Sequence, residues 1–118
     1  MQPFSVEAAL VAWVRSLGYP CAQLMQQQRP GVFVTVERVG GSVDDFVQRA
    51  SVALQVWADS NAEADAVANA LVLALLTQQP PAGIHSVTVT DGPYFWPDYE
   101  TSRARYQLVC DVYAQIDI

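Results

Sequence analysis

Lysine is absent from this chain, histidine occurs once, and there are only two cysteines. Each shortage excludes something. The six basic residues are all arginine, against twelve acidic ones, leaving a net charge of −6. Binding to a phosphate backbone draws on clustered positive charge that releases counterions, so the acidic balance opposes a nucleic-acid reader. An acidic surface that DNA slides past without sticking remains consistent with it. The all-arginine bias is that of a GC-rich genome. A single His85, with neither Cys nor a second His beside it, is no metal site and reads as a solvated side chain. Cys21 and Cys110 lie far apart with no CxxC spacing, which predicts two buried or half-buried thiols; a disulfide would require them on neighbouring strands.

Long hydrophobic runs are missing too. The longest, residues 70–76, is far too short to span a bilayer. The start, Met1-Gln2-Pro3-Phe4-Ser5, has neither the basic opening nor the small-residue cleavage site of a signal peptide, so the expected location is the cytoplasm. No GxSxG, Walker A or GxGxxG pattern occurs, and Ser42 has no histidine within a recognisable motif. Asp44-Asp45, a carboxylate pair beside Gly40-Gly41, reads as a hydrated loop tip, because general acid work needs an enclosed pocket. No enzyme, cofactor or metal is implied.

What the chain does have is apolar substance, 52% of its residues, which rules out disorder. At 118 residues it makes one domain with a real core. Ser5 precedes Val6, Ala9, Leu10, Trp13, Val14 and Leu17, an amphipathic helix that Gly18 ends. Residues 21–26 form a short strand, and residues 32–39 alternate as a longer one, with Val32, Val34 and Val36 on one face. Gly40-Gly41 is expected to break that strand and to open a mobile loop over 42–45. A second strand, 47–57, pairs back on it as an antiparallel hairpin with a long loop. Ser60-Asn61-Ala62-Glu63 is a capping box opening an alanine-rich helix, whose buried stripe is Ala64, Val67, Ala68, Leu71, Ala74 and Leu75, widened by Val72 and Leu76. Strands at 86–90 and 105–113 complete the order of helix, three strands, helix, two strands. The fold class is α+β: a mainly antiparallel sheet of four or five strands with two helices on one face.

The most informative stretch is Gly92-Pro93-Tyr94-Phe95-Trp96-Pro97-Asp98. Two prolines exclude a helix interior or a central strand, so a surface loop is expected, its rings meeting either a partner or their own domain. The second sheet face mixes Thr35, Glu37, Gln55, Thr88, Gln107 and Asp111 with Phe33, Trp57, Val109 and Tyr113. With no helix left to cover it, that face is expected to be buried against another subunit or an unassigned element. Arg103 and Arg105, after Asp98 and Glu100, are read first as intramolecular ion pairs and second as docking groups.

In order, the segments Pro3-Phe4-Ser5-Val6-Glu7-Ala8-Ala9, Arg29 through Gly41, Leu54-Gln55-Val56-Trp57-Ala58, Gly92-Pro93-Tyr94 with Pro97-Asp98, and Arg105-Tyr106-Gln107-Leu108 resemble the tail terminator (tail completion) proteins of siphophages, above all those of actinobacterial hosts and their prophages. The resemblance runs over nearly the whole chain but through short segments without a functional signature. It implies an α+β structural subunit that closes into a homo-oligomeric, six-fold ring on the tail tube, stops its growth and offers a head-attachment surface at the tail–neck junction of the virion. Implied partners are further copies of itself, the major tail tube protein and a head completion or connector protein, with DNA passing through the lumen unbound. On the matched segments it marks Arg38, Val39, Gly40, Gly41, Tyr94 and Asp98 as interface candidates; Asp44, Asp45, Phe95, Trp96, Arg103 and Arg105 join them from the reading of the residues. Two other classes fit the same sequence: another neck component, such as a head–tail connector or minor tail protein, and a small-ligand-binding α+β module with Trp57 and the aromatic loop lining its pocket.

Overall fold

The computed structural model describes residues 2–24, 31–44, 46–100 and 102–117. The chain runs α1 (Val6–Ser16), β1 (Cys21–Ala22), β2 (Phe33–Asp44), β3 (Val47–Ala58), α2 (Asn61–Thr77), β4 (Ile84–Phe95) and β5 (Ala104–Gln115). The strands form one sheet in the order β1-β2-β3-β5-β4, antiparallel except for the short β1–β2 pair. Both helices pack on one face, as the hydrophobic periodicity predicts.

The helices begin where their caps dictate. Ser5 accepts a hydrogen bond from Ala8 N–H, and Ser60 accepts one from Glu63 N–H. Each satisfies a donor that the first helical turn leaves free. The core between helices and sheet is aliphatic: Val6, Leu10 and Val14 from α1, Ala64, Ala68 and Leu71 from α2, Val34, Val36, Val52, Leu54 and Val56 from the hairpin, and Leu108, Cys110 and Val112 from β5. The alanines of α2 let its axis approach the sheet. Leu76 departs from the expected stripe and is exposed together with Leu73.

Two turn signals in the sequence belong to strands instead. β2 passes through Gly40-Gly41, with one extra residue inserted between Arg38 and Gly40, and stays paired with β3 as far as Asp44 opposite Val47. The hairpin therefore closes tightly, and the predicted loop over 42–44 is strand; Asp45 lies outside the described residues. Gly41 is needed there. Its φ is +131°, and a Cβ at this position would run into the Arg49 carbonyl oxygen. A glycine pair thus builds a β-bulge, which bends a strand without ending it.

β4 likewise runs on through Gly92, Pro93, Tyr94 and Phe95, so the first half of the expected aromatic loop is strand. It is the outermost strand, which is where proline is tolerated in a sheet. The Gly92–Pro93 peptide is cis. Three register shifts along β4 absorb the irregularity, and only residues 96–98 leave the ladder.

Candidate interface

Cross-strand register brings four polar side chains into one row on the sheet face away from the helices: Thr35, Gln55, Gln107 and Tyr94, from β2, β3, β5 and β4. They are joined end to end. Trp57 Nε1 donates to Thr35 Oγ1 at 3.0 Å, and Thr35 Oγ1 donates to Gln55 Oε1 at 2.8 Å. Gln55 Nε2 donates to Gln107 Oε1 at 2.9 Å, and Gln107 Nε2 to the Tyr94 hydroxyl at 2.6 Å. No buried side-chain nitrogen or oxygen among the described residues is left without a partner. Such a fully satisfied row fixes the register of four strands, because slipping any one would orphan its neighbours.

Beside this row lies an aromatic end. The Arg105 guanidinium sits 4.8 Å from the centre of the Trp57 ring, and its Nε donates to Trp96 O at 2.7 Å. Arg105 also donates to Pro97 O at 3.2 Å, so one side chain ties the 96–97 segment back over the sheet. Tyr94 and Trp96 meet edge to face with ring centres 5.8 Å apart, and Phe95 tilts against Tyr106 at 5.9 Å. Arg103 donates to Gly31 O and pairs with Asp59 at 3.3 Å. Arg103 therefore makes the expected intramolecular ion pair, whereas Arg105 serves its own backbone carbonyls.

Of the two covers expected for this face, another subunit or an unassigned element of the chain, Phe33 and Trp57 have theirs from the chain itself and need no second subunit. Phe33 is 1% exposed and Trp57 5% within the single chain. The same face opens out toward the hairpin end, where Tyr113 is 41% exposed. Phe95 and Trp96 keep about half their surface, at 50% and 45%, so the aromatic stretch is partly anchored at home and partly free. Tyr94 is half-buried by its bond to Gln107.

At the opposite end of β3 the hairpin carries Val39, Val43, Phe46 and Val47 with little over them. Phe46, in the turn at φ +75°, is 84% exposed. Of the candidates from sequence, Val39, Gly40, Gly41 and Asp44 lie on this exposed arm. Arg38 does not reach outward; it donates to Gln48 Oε1 at 2.9 Å and to Gly40 O at 3.2 Å. Gln48, one residue inside the closing pair of the hairpin, in turn donates to Phe4 O and Gln115 O, tying residues 4 and 115 to the tip end of the hairpin. Tyr94, Phe95, Trp96, Asp98, Arg103 and Arg105 gather at the aromatic end, so the candidate set splits into two surfaces at the two ends of one sheet. Sequence reasoning missed Val43 because the expected loop over 42–45 concealed a strand whose side chains face out on both sides; it also missed Phe46, a turn residue, and Val47, which it placed in the second strand without counting it as surface. The alternation at Val43 and Val47 was the available signal.

Cys21 and Cys110 are both buried free thiols, on strands separated by β2 and β3. Burial pushes the Cys21 thiol up to about 11. Burial, with the neighbouring Asp111 carboxylate adding to it, pushes Cys110 up to about 12. Neither is a nucleophile at neutral pH. His85 is exposed on the rim of an apolar cleft of about 220 Å³ lined by Trp13, Leu75, Pro80, Pro81 and Val87. That cleft lies between the helices and the start of β4, away from Trp57. The described residues contain no group of three or more His, Cys, Asp and Glu that could hold a metal, and no described helix is long and apolar enough to cross a membrane. No protein-family model and no curated protein matches the chain.

Proposed function

We propose that this chain is a structural subunit of the tail-terminator kind, a non-enzymatic protein that closes into a ring on the end of a phage tail tube and offers a surface for head attachment. The observation that carries the reading is the placing of two exposed apolar surfaces at opposite ends of one sheet: Phe46 with Val47 at the hairpin, Phe95 with Trp96 at the aromatic end. A ring needs a heterologous contact, in which one patch of a subunit meets a different patch of the next. Two separated patches on a stiff sheet supply that arrangement. The α+β architecture agrees with the fold that the sequence resemblance implies, and the net charge of −6 suits a lumen that DNA crosses without sticking. In this reading the hairpin tip of one copy docks on the aromatic end of its neighbour. The tail tube and a head completion protein take the two flat faces of the ring.

The test is negative-stain electron microscopy with light scattering, on the protein alone and mixed with polymerising tail tube protein. Rings on tube ends, and tubes of limited length, are the expected result. A protein that stays monomeric at every concentration, with tubes growing on unchecked, would overturn the assignment.

A further inference from the structure

The free edge of β2 is chemically distinct from the rest of the surface. β1 pairs only with Val34 and Thr35, so beyond Thr35 no strand among the described residues covers this edge. Val34 directs its N–H outward to Pro20 O at 2.9 Å, and antiparallel alternation therefore points the main-chain groups of Val36 and Arg38 outward too. Past the bulge, Asp44 pairs with Val47 to close the hairpin, and Val43 faces outward between Ser42 and Asp44. The opposite edge is treated differently. β4 carries three register shifts and Pro93, the devices that keep another strand from adding. One edge is thus blunted, and the other, broken only by its single bulge, has outward main-chain donors and acceptors that no strand among the described residues pairs.

An edge of this kind has one complementary chemistry, an extended backbone laid alongside it. The side chains narrow the choice further. Val39 and Val43 are 55% and 66% exposed along it, so the incoming strand needs apolar contacts. Glu37 and Asp44 are exposed at its two ends, Glu37 also accepting from Gln55 Nε2 at 3.3 Å; of the nearby cations, Arg49 is ion-paired with Asp111 at 3.3 Å and Arg38 donates to Gln48 Oε1 and Gly40 O. A second copy of this chain is poorly suited to the site. It has no lysine, and each of its described arginines, 15, 38, 49, 103 and 105, hydrogen-bonds within its own chain.

We propose that residues 36–44 of β2 receive an extended, alternating apolar and basic segment of a different protein, which adds to the sheet as a sixth strand. The argument uses only the edge and its charges, so it stands whether or not the chain forms rings.

Amide-resolved NMR, with an alternating Val-Lys peptide as probe, tests it on the full chain in dilute solution. Saturable shifts confined to residues 36–44, with slowed hydrogen exchange at Val43 N–H, are the expected result. The Val43→Pro variant removes an outward N–H without touching the β3 ladder, and should weaken binding by about tenfold or more. The same peptide N-methylated at alternate residues keeps its charge but cannot pair, and should not bind; this control holds even if Val43→Pro fails to fold. A Val-Glu peptide should not bind either. Equal binding of the N-methylated peptide would show charge attraction alone and overturn the proposal, as would no saturable binding of the Val-Lys peptide. Protection at Val43 that rises with protein concentration in the absence of peptide would make a second copy the occupant, and would overturn it as well.

Discussion

At the Trp57 end of the sheet, each aromatic ring of residues 57 and 94–96 has something of its own chain laid against it; at the Val47 end of the same strand, Phe46 stands in solvent. Trp57 lies under the Arg105 guanidinium and donates to Thr35, Tyr94 touches Trp96, and Phe95 leans on Tyr106. Phe46 has no comparable cover. The two ends share strands and a core, yet one uses its rings to complete the domain and the other holds them out. Rings that are tied down contribute to stability. Rings that are held out cost solubility without stabilising the monomer, and they matter only if something binds them.

The sharpest way to break this contrast is Trp57→Ala. Removing the indole deletes a large buried apolar surface, uncovers Phe33 and leaves Arg105 without its ring. The expected loss is about 3–5 kcal/mol, read as a lower midpoint in urea unfolding followed by circular dichroism. Val43→Ala at the other end should cost less than about 0.5 kcal/mol in the same experiment. Equal losses would mean that the exposed end is part of the core.

Next in size is the polar row. Gln107→Ala removes the nearer of the two acceptors of Gln55 Nε2, leaving Glu37 Oε2 at 3.3 Å, and takes the donor from the Tyr94 hydroxyl. The expected cost is about 1–3 kcal/mol, because a group that loses a partner keeps its desolvation penalty. If the row also holds the aromatic end in place, the variant should show faster hydrogen exchange along β4 near Tyr94 and no change at Val43. Uniform change across the sheet would assign the row to global stability alone.

The elements carrying this contrast were unequally legible in the sequence. Both helices, with their serine caps, and strands β3 and β5 were readable, because their periodicity is set by a single buried face. The hairpin arm and the aromatic edge were not. Gly40-Gly41 and Gly92-Pro93 read as breaks, since glycine and proline commonly end strands; here one pair builds a bulge and the other sits on an outer strand. Burial of Phe33 and Trp57 was hidden for another reason. The cover of Trp57 comes in part from Arg105, a charged residue that no apolar pattern registers. The polar row depended on register between four strands, which spacing along the chain does not contain. The candidate surfaces were therefore found as two lists of residues, and their separation to opposite ends came only with the sheet.

The thiols sharpen the contrast by probing what both ends share. Each buried thiol titrates above its ordinary value of 9.0, toward about 11 for Cys21 and about 12 for Cys110. Below pH 9 both are neutral, folded or unfolded, and their stabilising effect is fully present. Above it the unfolded chain loses the protons first, so folding stability falls as pH rises from about 9 through the folded-state values. The slope should be about 1 kcal/mol per pH unit for each thiol. Urea unfolding at stepped pH checks this, and Cys110→Ala should flatten the curve. Because both thiols lie in the helix-side core, the amides at the two ends should lose protection together.

The smallest effect on folding is expected at Phe46→Ser. The ring is 84% exposed, so little apolar area returns to water on unfolding and stability should shift by less than about 0.5 kcal/mol. Phe46 has a φ of +75°, which costs Ser no more than Phe, so the turn itself should survive. Everything the substitution does should therefore appear in association. If the hairpin tip docks on the aromatic end of a neighbour, loss of one central ring should weaken that contact by about 2 kcal/mol, roughly thirtyfold in affinity. Light scattering across a concentration series would read this directly, with Leu73→Ser on α2 as the matched control for removing an exposed apolar side chain elsewhere. A loss of assembly in Phe46→Ser but not Leu73→Ser places the contact at the hairpin. Equal losses would mean that association follows general exposed hydrophobicity. No loss in either would leave the aromatic end, and not the tip, as the surface to which neighbouring copies bind.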